Sequence, residues 1–185
     1  MTKRQPKGTP VGGQFAQDRK PDGGELVAPR RGRVIETEPW SKKELISTKV
    51  FFAKRVAEQN RQEPDYAYRW YSLDQRLVGI GGVSVVPPVD AETDIDQLLS
   101  IAELSTTKPV MRKGKPNQCH ANTARLWISG EIDEIYTGYA LSADGLWRQH
   151  SWGRKGEKIV ETTSPRLGYF GFAVPNPQEW AEKQE

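Results

Sequence analysis

The chain holds one cysteine, two histidines and two methionines among its 185 residues. A single thiol excludes an internal disulfide, and a structural zinc site would need ligands that the chain does not supply. The thiol is therefore either a packed small side chain or a nucleophile. Nowhere do roughly 18 consecutive apolar residues occur, as a membrane span requires, and the N-terminus has no hydrophobic signal core. The expectation is a cytoplasmic protein that makes no use of a membrane. Apolar residues are also scarce, at 36% with a mean hydropathy of -0.72, so part of the length is expected to stay outside any packed core.

What charge there is lies unevenly. Residues 1–33 carry Lys3, Arg4, Lys7, Arg19, Lys20, Arg30, Arg31 and Arg33 against Asp18, Asp22 and Glu25, a net +5 on a body of −2. This stretch is rich in Gly and Pro and has no apolar period, so it reads as a disordered basic tail. Its basic residues do not alternate with aromatics as a base-stacking surface would, which disfavours nucleic acid as a partner. The remaining length suits one domain, with a helical N-terminal part over 34–107 and a core over 108–185.

Helix signals open that domain. Ser41-Lys42-Lys43-Glu44 is a capping box, with Trp40 and Leu45 placed as a hydrophobic staple, and a helix should run to about Asn60. Its expected buried stripe is Ile46, Val50, Ala53 and Ala57. The aromatic stretch 65–77 favours helix over strand, Gly79 to Gly82 break it, and Val83–Val86 reads as a short strand stopped by two prolines. Thr93 is placed to cap a second apolar-striped helix through Ile95, Leu98, Leu99 and Ala102. A Lys-, Pro- and Gly-rich loop over 105–117 then leads to a helix over about 118–129, ended by Gly130. Extended segments follow at 132–141, 146–153 and 157–163, separated by Asp-Gly and Lys-Gly turns that predict an antiparallel meander. Asn176-Pro177 starts a last helix.

Cys119 stands where the helix over 118–129 begins, and a helix N-terminus favours a thiolate. Such a thiol needs an imidazole to take its proton and a polar group to orient that imidazole. His120 follows directly, about 100° round the helix, and is expected on the helix surface or in support behind the site rather than as the base. His150, in the middle of the second strand, is the better base, and Glu161 occupies the neighbouring strand on the face shared by Ile159 and Thr163. The competing reading makes His150 a satisfied sheet histidine and Glu161 a strand residue paired with Lys158 or Arg148. Metal binding through Cys119, His120 and His150 is disfavoured, because it would compete with that hydrogen-bond geometry.

The order of Cys119, Gly138-Tyr139, His150-Ser151-Trp152 and Ile159-Val160-Glu161-Thr162-Thr163 resembles the pattern of transglutaminase-like, papain-related cysteine enzymes over roughly residues 110–172. Cys119-His120-Ala121-Asn122, Asp144 through Trp152, Glu161-Thr162-Thr163 and Tyr169-Phe170-Gly171 also resemble a group of uncharacterised bacterial proteins. Pro6 through Ala16 is similar to a short N-terminal motif on varied proteins of actinobacteria and their phages. The main resemblance implies an α+β fold in which a nucleophile helix packs on an antiparallel meander, here with extra N-terminal helices. It implies Cys119 as nucleophile, His150 as general base and then acid, and Glu161 as the orienting carboxylate. Two departures stand out, Glu for the family's usual Asp and Thr162 for its Pro. The oxyanion donors are expected at the backbone N–H of Cys119 with Gln118 or Asn117, and Trp152 and Trp147 are expected to flank the site.

The implied chemistry is attack on a carboxamide or peptide-like carbonyl through a thioester, without a cofactor, and hydrolysis and amide transfer stay equally open. The opposing reading is a catalytically silent body of bacterial or phage origin that docks through its basic tail. Nothing in the residues fixes the oligomeric state.

Overall fold

The computed structural model describes residues 35–184, and the basic tail over 1–33 lies outside them. In chain order the elements are α1 (Lys42–Gln62), α2 (Tyr66–Ile80), β1 (Ser84–Val85), α3 (Ile95–Ser100), β2 (Glu103–Ser105), β3 (Val110–Met111), α4 (Cys119–Ile128), β4 (Glu134–Leu141), β5 (Leu146–Lys155), β6 (Lys158–Glu161), β7 (Gly168–Ala173) and α5 (Pro177–Glu182). The fold is mixed α+β around one antiparallel-rich sheet in the order β2-β7-β4-β5-β6-β3, with β1 joining β5. Among the described residues the β1–β5 and β3–β6 strand pairings are parallel, as is an isolated bridge between Ile35 and Gly81, and the other strand pairings are antiparallel.

The expected meander forms as β4, β5 and β6, but it is the middle of a wider sheet. The Tyr-Phe-Gly segment becomes β7, which pairs with the free side of β4 from Leu141↔Gly168 to Tyr136↔Ala173. The stretch expected as a plain loop contains β3 and follows the end of β2. Residues 34–107 thus supply two strands as well as three helices.

Alternation along β5 decides which side chain faces which layer. Trp147, Tyr139 and Phe170 project to the face covered by α2 and α3, where Tyr66, Trp70, Leu73, Leu77, Ile95 and Leu98 complete a buried cluster. The 4-3-4 spacing of those α2 residues is the helical period that the aromatic stretch concealed. Nearer the other end of the strands, Ala124 of α4 and Ala181 of α5 pack with Ile132, Ile135 and Val160. His150, Trp152, Ile159 and Tyr169 lie on the opposite face.

Two helix details differ from expectation. The Ser41 hydroxyl does cap α1 by accepting from the Glu44 N–H at 3.2 Å, but the helix buries Val56 and Gln59, with Phe52 half-buried, and turns Ile46, Val50, Ala53 and Ala57 outward. A stripe ending in two alanines offers little apolar area, so the face with the larger side chains is the one withdrawn from water. In α3 the N-cap position is Asp94 rather than Thr93, and it makes no side-chain capping bond.

Candidate active site

Three pieces of local structure converge on Cys119. First, β3 runs alongside β6, Met111 opposite Glu161, and the next residues continue the zipper: the Arg112 N–H donates to the Glu161 carbonyl at 2.8 Å and the Gly114 N–H to that of Thr162 at 2.9 Å. Second, Asn122 clamps the chain as it leaves that strand, accepting from the Lys115 N–H at 3.0 Å and donating to the Lys115 carbonyl at 2.7 Å. A Cβ on Gly114 would sit 2.4 Å from the Asn122 side chain, so the clamp closes only over glycine. Third, Asn117 takes the left-handed conformation at φ 56°, one of the few non-glycine types that tolerate it, and swings the chain into α4. The strand that carries the carboxylate therefore also sets the register of the thiol.

Cys119 is the first residue of α4 and is half-buried. Its thiol feels burial first, which raises its pKa, but hydrogen bonds to His120 and His150 and the charge on those rings bring it down to about 5. The unpaired N–H groups of the first helical turn favour the same anion.

His150 and Glu161 form a buried pair, with the imidazole Nε2 2.8 Å from Oε2. They are 3% and 0% exposed. Continuing the β5–β6 register puts Glu161 opposite Trp152, so it reaches His150 diagonally, and β6 stops before any residue stands opposite the histidine. A diagonal approach suits the longer glutamate side chain, and the strand edge left open beside His150 is where α4 brings the sulfur. Nε2 is taken by the carboxylate, so Nδ1 is the ring nitrogen left for the thiol.

The carboxylate is fully engaged. Oε1 accepts from the N–H groups of Thr162 and Thr163, both at 2.8 Å, and from the Thr163 hydroxyl at 2.9 Å; Oε2 adds the Tyr169 hydroxyl at 3.1 Å. Burial alone would raise its pKa, yet the His150 hydrogen bond and charge and the Thr163 donors hold it at about 2. For His150, burial lowers the pKa, and the bonds to Cys119 and Glu161 outweigh it, so the ring is raised above its ordinary 6.5. The arrangement favours a thiolate beside an imidazolium with a carboxylate behind it.

Aromatic rings wall this line. Trp152 lies near parallel to His150 with centroids 6.4 Å apart, and Tyr169 meets Trp152 at 5.2 Å. Room for the indole comes from Gly171, where a Cβ would sit 2.7 Å from Cη2 of Trp152. Trp147 does not join them: it projects from the other face of β5 and donates its indole N–H to the Gly81 carbonyl at 2.8 Å. Arg148 pairs with Asp144 at 2.6 Å rather than with Glu161. Gln118 is the exposed N-cap of α4 with no side-chain capping bond, and Asn117 beside it is exposed as well.

His120 is half-buried and lies behind Cys119 against β5, one of the two places expected for it. Its Nδ1 lies 2.7 Å from the Ser151 hydroxyl, and its ring is 5.9 Å from that of Trp180. A cavity of about 490 Å³ flanks α4 between Lys115, Gln118, Ala121 and Arg125, most of the way round the helix from Cys119 by helical spacing. Among the described residues no group of three or more His, Cys, Asp and Glu side chains is arranged to hold a metal ion, and no helix is long and apolar enough to cross a membrane. Compared with known proteins, the chain matches no family model, no curated protein and no solved structure.

Proposed function

We propose that this protein is a thiol-dependent acyl enzyme of the papain and transglutaminase-like type, acting on an amide or peptide-like carbonyl. The observation that carries the reading is the buried His150–Glu161 pair set against a thiol held near pKa 5. A packed, inert cysteine has its pKa raised by apolar surroundings, and this one goes the other way.

In the proposed cycle the Cys119 thiolate attacks the carbonyl carbon, and the carbon–oxygen π electrons move to oxygen. The backbone N–H of Cys119 is the natural first donor to that oxyanion, with Gln118 as a neighbouring donor. As the tetrahedral centre collapses, the His150 imidazolium gives its Nδ1 proton to the leaving amine nitrogen and a thioester remains. Water or an amine then attacks the thioester, His150 takes the proton from that nucleophile, and the thiolate departs, restoring the starting pair. Glu161 keeps Nε2 protonated throughout and so keeps Nδ1 as the working nitrogen. The wall of Trp152 and Tyr169 limits water and strengthens the ion pair. A lone working thiol also suits a reducing compartment such as the cytoplasm.

Iodoacetamide alkylation tests this directly, since the chain has a single cysteine and the label has one destination. The expected rate rises with a midpoint near pH 5 and is already on its plateau at neutral pH. A midpoint near that of an ordinary cysteine, about 8.5, overturns the proposal.

A further inference from the structure

We propose that the outward face of α1 is a docking site for an acidic amphipathic helix of a partner protein, which pairs with it as the second strand of a short coiled coil. The inference is independent of the chemistry assigned to Cys119.

Ile46, Val50, Ala53 and Ala57 are spaced 4-3-4, as the a and d positions of a heptad are, and their line runs for about 17 Å along the helix. All four are exposed, Ile46 by 55% and Val50 by 51%, while α1 packs on the body through half-buried Leu45 and Phe52 and buried Val56 and Gln59. A single apolar side chain at a surface needs no partner. A continuous seam over three turns, on a helix that already buries its other face, is the pattern of a helix packed on two sides. Beside the seam a cavity of about 90 Å³ lies between α1 and α2, walled by Ala53 and Val56 of one helix and Trp70 and Tyr71 of the other. It is a hole of the kind that receives a knob from a facing helix, and the two alanines let that helix come close.

The charges beside the seam choose the partner. In the same heptad Lys42 and Lys49 fall at g and Lys54 and Arg61 at e, so cations border the seam on both sides; the two glutamates of α1, Glu44 and Glu58, fall at b, outside that border. Among the described residues Lys42, Lys49 and Lys54 enter no ion pair, and Arg61 meets only Glu58 of its own helix. The acid in the cavity wall, Asp74, lies toward Lys49 but accepts from the Val85 N–H at 3.0 Å. A second copy of α1 would set cations against cations in either orientation, and residues 1–33 carry a net +5 of the same sign. A lipid surface is held by large inserted side chains, whereas half of this seam is alanine. The surface fits a helix with apolar residues at a and d and Glu or Asp at e and g.

The test takes the full-length protein and two labelled synthetic peptides of about four heptads, both with Leu at a and d, one with Glu and the other with Lys at every e and g. Fluorescence anisotropy should show binding of the Glu peptide and none of the Lys peptide up to about 1 mM. Val50→Asp, at an exposed position in the middle of the seam, should weaken the Glu peptide by about tenfold or more. Lys42→Glu, Lys49→Glu and Lys54→Glu together should exchange the preference, so that the Lys peptide binds and the Glu peptide does not. No binding of the Glu peptide, equal binding of the two, or binding that Val50→Asp leaves unchanged overturns the inference. A wild-type dimer in sedimentation equilibrium that Val50→Asp converts to monomer assigns the face to a second copy and overturns it as well. So does binding to phosphatidylglycerol vesicles that Val50→Asp abolishes. Should Val50→Asp not fold, the exchange of preference in the triple charge variant decides, and a triple variant that still selects the Glu peptide overturns the docking site.

Discussion

Two glutamates are buried on opposite faces of the same sheet, Glu161 beside His150 and Glu92 beside Gln149, one residue earlier on β5. Both are well supplied with hydrogen bonds. Glu92 accepts from the Tyr139 hydroxyl at 2.8 Å, from Gln149 Nε2 at 3.0 Å and from the Asp94 N–H at 3.2 Å. Yet Glu161 is held down at about 2 while burial pushes Glu92 above its ordinary value, with the nearby Asp94 charge adding to the rise. Tyrosine and amide donors are not enough to offset the desolvation of a carboxylate here; a cationic imidazole and a pair of successive backbone N–H groups are. Alternation along one strand therefore delivers a charge-bearing site to one face and a polar brace within the apolar core to the other.

The difference is broken most severely by removing the anion from the charged face. Glu161→Ala leaves the His150 ring buried without its partner, and the expected loss is about 3–5 kcal/mol, read by urea unfolding at pH 7, together with a fall in Cys119 alkylation at pH 6. The pH dependence has a definite sign. Because the folded value of Glu161 lies below its ordinary 4.5, its contribution is complete above pH 4.5 and disappears as pH falls toward 2. Wild-type stability should fall through that window more steeply than that of Glu161→Gln; parallel curves would show that the carboxylate is not held ionised.

At Glu92 the slope reverses. A carboxyl whose folded pKa is raised destabilises the folded state as pH climbs above 4.5, so Glu92→Gln should gain on the wild type between pH 4.5 and 7. The amide can still accept from Tyr139, and the net cost at pH 5 should be no more than about 1–1.5 kcal/mol. Unfolding free energies of the two proteins across that range check it. A gap that widens against the variant as pH rises would mean that Glu92 is as firmly ionised as Glu161.

How much of this could be read from the chain follows from what each signal depends on. The His150–Glu161 pair and the place of Cys119 were legible because their signals are local: a cysteine at a helix start, a histidine inside an alternating strand, a glutamate on the next strand. The capping box at Ser41, the stop at Gly130 and the Asn176-Pro177 helix start are local too, and each appears where the residues place it. What depended on pairing between distant segments was not legible. The edge strand β3 has two residues and no alternation to betray it, and β7 reads as a Gly-Tyr-Phe-Gly segment until β4 is there to pair with it. Trp147 was assigned to the site by proximity in sequence to His150, although the odd offset between them already sends it to the other face. Nothing in the spacing announced which way His120 turns, because its partner is Ser151, a residue thirty-one positions away.

The smallest effect gives the sharpest test, since Tyr139 and Tyr169 each donate one hydroxyl to one buried glutamate. Tyr169→Phe removes the longer bond, 3.1 Å against 2.8 Å, and leaves Oε2 of Glu161 with its imidazole. Tyr139→Phe leaves Oε2 of Glu92 with Gln149 alone, a side chain that is itself exposed to water. If a charged partner is what satisfies a buried carboxylate, Tyr169→Phe should cost about 0.5–1 kcal/mol and Tyr139→Phe about 1–3 kcal/mol, measured side by side by urea unfolding at pH 7. Tyr169→Phe should also leave the Cys119 alkylation midpoint within a few tenths of a pH unit of the wild type, because the imidazole still has its carboxylate. A larger loss at Tyr169 than at Tyr139 would invert the ranking and show that the hydroxyl, not the imidazole, is the donor that keeps Glu161 ionised.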